Sequence, residues 1–298
     1  MATFNEPVKD ETAVSPTRTL DWPLIIFFAL AYLIAWGMIP ILSSIAQQSG
    51  VADWVTLSQM GEALNFSGVM LSVPGWVVYL ITRLQDFAFS LAGLVMIAYL
   101  HGRSGLRKLG QRLLRWQVGW RWWLVALLPF ALYGLATAVS GQLNSFTFSS
   151  DTLGKILFST EAGFLITFFL RGAMGEELGL RGFALPRLQA TMSPFRASVI
   201  NGILWAGWHL PVLLSRDVVS IVAFLLLAFV LSFIFTWLFN GSGGSLLPVM
   251  IFHAAQNSEE IFEAIFPGLL TTDWELVSTM ALLIIGIIVG VILWRKKD

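Results

Sequence analysis

The feature that most constrains this chain is a series of about eight apolar runs. Each is near the roughly 20 residues an α-helix needs to cross about 30 Å of hydrocarbon. They predict helices at about Trp22–Ile45, Trp76–Leu100, Trp122–Gln142, Ala162–Ala184, Phe195–Leu214, Val218–Phe239, Ser245–Phe262 and Trp274–Trp294. Only 12% of residues are charged, where a soluble domain of this length carries roughly a quarter. The expected fold is an all-α polytopic transmembrane bundle spanning 21–298, preceded by a solvated tail at 1–20 that lacks the pattern of a signal peptide. Arg83 and Asp86 interrupt the second run; three residues apart, they share a helix face and are expected to pair. The stretch Val51–Gly75 reads as a loop or a surface-lying helix.

Charge sets the expected orientation. Basic residues collect after the second run (Arg103, Arg107, Lys108, Arg112, Arg115, Arg121), after the fourth (Arg187, Arg196) and at Arg295-Lys296-Lys297. Loops of the other parity carry Asp53, Glu62, Asp151, Glu161, Glu263, Asp273 and Glu275, with Glu259 and Glu260 beside them. Basic loops stay on the cytoplasmic side, so the chain is expected in the cell membrane with both termini cytoplasmic. Tryptophans at the ends of runs (Trp22, Trp76, Trp122, Trp274, Trp294) suit the interfacial belt. Eighteen basic residues balance eighteen acidic ones, which leaves no footprint for nucleic acid. With no cysteine, disulfides, thiolate metal sites and cysteine nucleophiles are excluded.

An ionisable side chain at the centre of a membrane helix costs on the order of 2.5–3.5 kcal/mol, so each one needs a reason. Three clusters stand out. In Gly175-Glu176-Glu177-Leu178-Gly179-Leu180-Arg181, Glu177 and Arg181 are four apart with the acid first, the favourable order for a pair. Glu176 points about 100° away and has no obvious local partner; a solvated helix end is the bland alternative. Arg171 has no acid at helical spacing and is expected to pair with another helix. The second cluster runs from Asn201 to His209, with Asn201, Trp205 and His209 on one stripe. The third is His253-Ala254-Ala255-Gln256-Asn257, whose His253 and Asn257 project together. If the clusters converge, a carboxylate, two imidazoles and an amide meet, enough for water activation and oxyanion stabilisation.

Glu-Glu-x-x-x-Arg, then aromatic-x-x-x-His, then His-x-x-x-Asn, in this order on separate membrane helices, resembles the CAAX protease and bacteriocin-processing (CPBP, or ABI) family of intramembrane proteases. The likeness covers about 162–257 as a catalytic core, and extends loosely to Leu113–Trp116, Gly119–Trp122 and Gly244–Pro248. Trp205 stands where the family usually has Phe.

The resemblance implies an intramembrane endopeptidase acting on a membrane-associated peptide or protein, CAAX-like prenylated ends included. In that reading Glu176 is the general base, His209 helps bind and polarise the water, and His253 and Asn257 donate to the oxyanion. Glu177, Arg181 and Trp205 would support them. These four catalytic residues are expected around one water-accessible cavity on the inner side of the bundle. No metal is needed in this scheme. The alternative uses zinc held by Glu176, His209 and His253, with Glu177 as base. A proton-coupled transporter or a non-cleaving immunity protein stays open beside both, although no repeated half appears. Gly175 with Gly179, and Gly286 with Gly290, read as packing positions, Gly241–Gly244 as a turn, and Pro211 as a kink in the fifth helix. Oligomeric state is not legible.

Overall fold

The computed structural model describes residues 21–63, 65–139, 164–258 and 272–295. The N-terminal tail, Asp151, Glu161, Glu259, Glu260, Glu263, Lys296 and Lys297 lie outside them, as do the side chains of Asp273 and Glu275. The described residues form helices and no strand. In order these are α1 (Trp22–Gly37), α2 (Ile39–Gln48), α3 (Trp54–Glu62), α4 (Gly75–Asp86), α5 (Ala88–Leu113), α6 (Trp120–Ala126) and α7 (Leu128–Val139). After a helical stretch at 164–170 come α8 (Gly172–Gly179), a π-helical turn (Leu180–Ala184), α9 (Leu185–Gln189) and α10 (Pro194–Trp208). The chain closes with α11 (Leu210–Leu213), α12 (Val218–Gly241), α13 (Leu247–Gln256) and α14 (Thr272–Arg295).

Among the described residues three helical segments are long and apolar enough to cross a membrane, Trp22–Gln48, Val218–Gly241 and Val277–Arg295. A fourth arises if α4 and α5, bent by 63°, act as one span. The other expected spans are helical where described but broken, and the breaks have local causes. Arg171, in extended conformation (φ −130°, ψ −151°), stops the fourth span and restarts it as α8. Arg83 makes the break tolerable: its guanidinium donates to the Leu170 carbonyl and pairs with Asp86 at 2.9 Å, as the sequence predicts. Arg171 finds the expected partner on another helix, Glu62 of α3, at 3.3 Å. Around Pro211 the fifth span ends at Trp208 and resumes as the single turn α11. Stretch 51–75 contains a genuine helix, α3, capped by Asp53, whose carboxylate accepts from the Thr56 N–H at 2.7 Å.

Side chains such as Leu33 and Ile287, 68% and 58% exposed, face outward from a core of buried Phe27, Phe89, Phe183, Phe235 and Phe252. In water so much exposed apolar surface would mark an interface; here it faces lipid, and the protein is an all-α integral membrane bundle. The packing glycines behave as predicted. A Cβ on Gly175 or Gly179 would strike the carbonyl oxygens of Asp86 and Phe89, so α8 touches the end of α4 and the start of α5 backbone to backbone. Gly286 is likewise pressed against Val230 of α12, and Gly243 and Gly244, with φ of 68° and 80°, build the turn before α13.

Two ends of the bundle differ in charge. At one end, where α1 begins, Arg187 bonds Asp21 at 3.0 and 3.2 Å, Arg115 donates to the Gly243 carbonyl at 2.7 Å and Ser245 to the Arg115 carbonyl at 2.6 Å. At the other, about 20 Å away by the ~1.5 Å rise per residue of α1, Trp36 donates to the Trp208 carbonyl at 3.0 Å and Gln85 to that of Ala35 at 3.1 Å.

Candidate active site

Three helices, α8, α10 and α13, bring the polar clusters together. Glu177 and Arg181 pair at 3.0 Å with both side chains fully buried, which removes the reading of a solvated helix end. Burying such a pair is expensive unless it is well satisfied. Here Arg181 also lies over the rings of Phe235 (4.6 Å) and Trp205 (5.0 Å), which replace water on its faces. Arg181 sits in the π turn, an irregularity often found where function constrains a helix.

The Glu177 oxygen that receives Arg181 also lies 2.8 Å from Nδ1 of His253. A carboxylate holding one imidazole nitrogen sets the direction of the other. That other nitrogen, Nε2, is turned toward Gly172, the first residue of α8. A Cβ placed on Gly172 would lie 2.8 Å from His253 Nε2, 3.1 Å from Glu176 Oε1 and 3.2 Å from Asn257 Nδ2. An imidazole, a carboxylate and an amide therefore border one small space that exists because residue 172 has no side chain. Glu176 and His253 are nearly buried, at 6% and 2% exposure, while Asn257 is exposed at the helix end. Sequence reasoning did not find Gly172. The available signal was a glycine directly after an intramembrane arginine, in a span that must break there.

Glu176 is not left without a partner. Its Oε2 accepts from Nε1 of Trp205, so the tryptophan supplies a donor as well as a wall. A phenylalanine at 205 could not make that bond. Asn201, expected on the same stripe, is fully buried.

His209 is placed differently from His253. Its Nδ1 lies 3.0 Å from the Trp205 carbonyl, which can only accept, so Nδ1 carries the proton and Nε2 is left as an acceptor. Glu176 and His209 line a cavity of about 360 Å³ together with Trp36, Trp54, Glu62, Gln85, Asp86, Trp208, Arg216 and Phe224. His253 and Asn257 do not line it. Glu176 is common to both groupings: with His209 it lines this cavity, and with His253 and Asn257 it borders the space beside Gly172. The Trp205 ring touches both imidazoles, its centre 5.8 Å from that of His209 and 5.7 Å from that of His253. Among the described residues no group of three or more His, Asp or Glu side chains is placed to hold a metal ion. Glu177 is engaged by both Arg181 and His253. His101, the third histidine, borders a small hollow with Ser104, Lys108 and Arg112, away from the site.

Residues 158–258 match the model of the family described as Type II CAAX prenyl endopeptidase Rce1-like. That segment is similar to the Rce1-like family. It contains Glu176, Glu177, Arg181, Trp205, His209, His253 and Asn257, so the family inferred from the three spaced motifs is borne out. The chain is also 29% identical over 173 residues to the CAAX prenyl protease 2 of Methanococcus maripaludis, a stretch covering 55% of this chain and 60% of that protein. It thus spans less than two thirds of the length of the relative it matches.

Proposed function

We propose that this chain is an intramembrane endopeptidase that hydrolyses a peptide bond of a membrane-associated polypeptide by water activated at Glu176, without a metal. The observation that carries the reading is the space beside Gly172, bordered by Glu176, His253 and Asn257. Glu176 removes a proton from water as the water oxygen attacks the carbonyl carbon. The resulting oxyanion is received by Asn257 Nδ2–H and by His253 Nε2–H, the latter when the ring is an imidazolium neutralised by Glu177. The C–N bond then breaks, and Glu176 returns its proton to the leaving amine. His209, with Nε2 as an acceptor in the cavity, helps hold the water. Trp205 orients Glu176, and the Arg181–Glu177–His253 series orients the oxyanion donor.

The name of the archaeal relative, a CAAX prenyl protease, supports a membrane-associated peptide as substrate. The charge asymmetry supports a cell-membrane location with both termini cytoplasmic. The test is quantitative mapping of new peptide termini in membranes containing wild-type or Glu176→Gln protein. Gln keeps the shape but cannot take the proton, so fragments present only with wild type support the reading. Identical fragments from both proteins would leave a transporter or an immunity protein as the better account.

A further inference from the structure

We infer that the catalytic cavity takes its peptide from the extracytoplasmic side of the membrane, so that the substrate is a segment of a membrane-anchored protein exposed on that side and not a prenylated end on the cytoplasmic side. This rests on the endopeptidase reading and narrows its substrate class. Two independent observations meet in it. The first is where the cavity opens. Its rim is made by Trp54, Ser58 and Glu62 of α3 and by the exposed Ser215 and Arg216 of the turn after α11. Ala35 and Trp36, at the far end of α1 from the Asp21–Arg187 bond, also line it. The cavity therefore opens away from the end that holds Arg112, Arg115 and Arg187.

The second observation is the charge of the two ends. Six basic residues lie between 103 and 121 alone, joined at the same end by Arg187 and Arg196. At the cavity end Arg83 and Arg171 are paired with Asp86 and Glu62, and Arg216 is followed by Asp217. Short loops rich in Lys and Arg remain cytoplasmic, which puts the cavity end outside. The hollow described at the basic end is much smaller. Beside His101 and Lys108, it holds about 40 Å³ against about 360 Å³ for the cavity, and none of the four catalytic residues borders it. Only the larger space falls in the range of roughly 300–1,000 Å³ that ligand sites occupy. Its walls of Trp36, Trp54, Trp208 and Phe224 suit a peptide bearing large apolar side chains.

The chain has no cysteine, so single reporters are free of background. Ser215→Cys and Ser58→Cys report the rim, and Ser104→Cys the basic end, each treated with a membrane-impermeant maleimide on intact cells. The rim cysteines should label at once and Ser104→Cys only after permeabilisation. A bulky maleimide at position 215 should lower Glu176-dependent cleavage at least fivefold in intact cells. Labelling of Ser104→Cys with protection of both rim cysteines overturns the inference while leaving the protease reading untouched. Rim labelling as expected, in a protein that cleaves nothing, brings down the protease reading and leaves the orientation standing.

Discussion

Gly172→Ala isolates the proposed site from the fold that carries it. The added methyl would meet His253 Nε2 at 2.8 Å, Glu176 Oε1 at 3.1 Å and Asn257 Nδ2 at 3.2 Å. Carbon makes comfortable contacts at about 3.5 Å or more, so the imidazole has to retreat by roughly 0.7 Å. It cannot do so freely, because its Nδ1 is held 2.8 Å from Glu177, itself bonded to Arg181. Overpacking of this kind costs about 1–3 kcal/mol of stability, while Ala in place of Gly in a helix returns about 1 kcal/mol. The net effect on folding is small. Displacement of a catalytic group by about 1 Å costs on the order of 10²-fold in rate, or about 2.7 kcal/mol of barrier. Turnover of a membrane-embedded peptide reporter should therefore fall about a hundredfold, while thermal unfolding in detergent moves by only a few degrees. Wild-type turnover in Gly172→Ala would refute the proposal that chemistry occurs beside this glycine. Gly179→Ala is the contrasting control, since it forces α8 off the Phe89 carbonyl and should lower stability and activity together.

Further expectations follow from the same contacts. Trp205→Phe keeps the ring but removes the donor to Glu176 Oε2; hydrogen bonds to charged groups are worth about 1.5–3 kcal/mol, so kcat should drop at least tenfold with KM little changed. Unchanged kcat would show that the tryptophan acts only as a wall. Arg181→Met strands Glu177 in a buried place and should cost about 3–5 kcal/mol in chemical denaturation, a loss that Glu177→Gln in the same chain should partly relieve. His253→Ala and Asn257→Ala should lower kcat more than they raise KM, because their contacts form chiefly in the transition state. Cleavage should survive a membrane-permeant chelator. One tightly bound zinc whose removal and return switches activity off and on would restore the metal scheme, with Glu177 as base.

Much of this architecture is written in local spacing. Glu177 and Arg181, and Arg83 and Asp86, are pairs that helical geometry alone brings together, and both form at 2.9–3.0 Å. Glycines at 175 and 179 announce a close helix contact because nothing else at that spacing would permit it. What spacing does not reveal is how broken helices meet. The dual use of Glu177 by Arg181 and His253 joins residues 76 apart in sequence, and the Trp205–Glu176 bond joins residues 29 apart. Gly172 matters for atoms it lacks, a property no residue pattern displays. The contact of one indole ring with both His209 and His253 could not be read from the order of the motifs.

The backbone contact of α8 with the junction of α4 and α5 also bears on how such a site can change over evolutionary time. Where side chains interleave, a larger residue on one helix can be matched by a smaller one on the other, and the surface drifts while the distance holds. Gly175 and Gly179 leave no such exchange available, because their neighbours are the carbonyl oxygens of Asp86 and Phe89, which every amino acid carries. The helix that holds both acids is thereby tied to a main chain whose shape is indifferent to sequence. Variation in what the protein accepts is channelled into α3, α10 and the turn at 212–216, whose residues line the cavity.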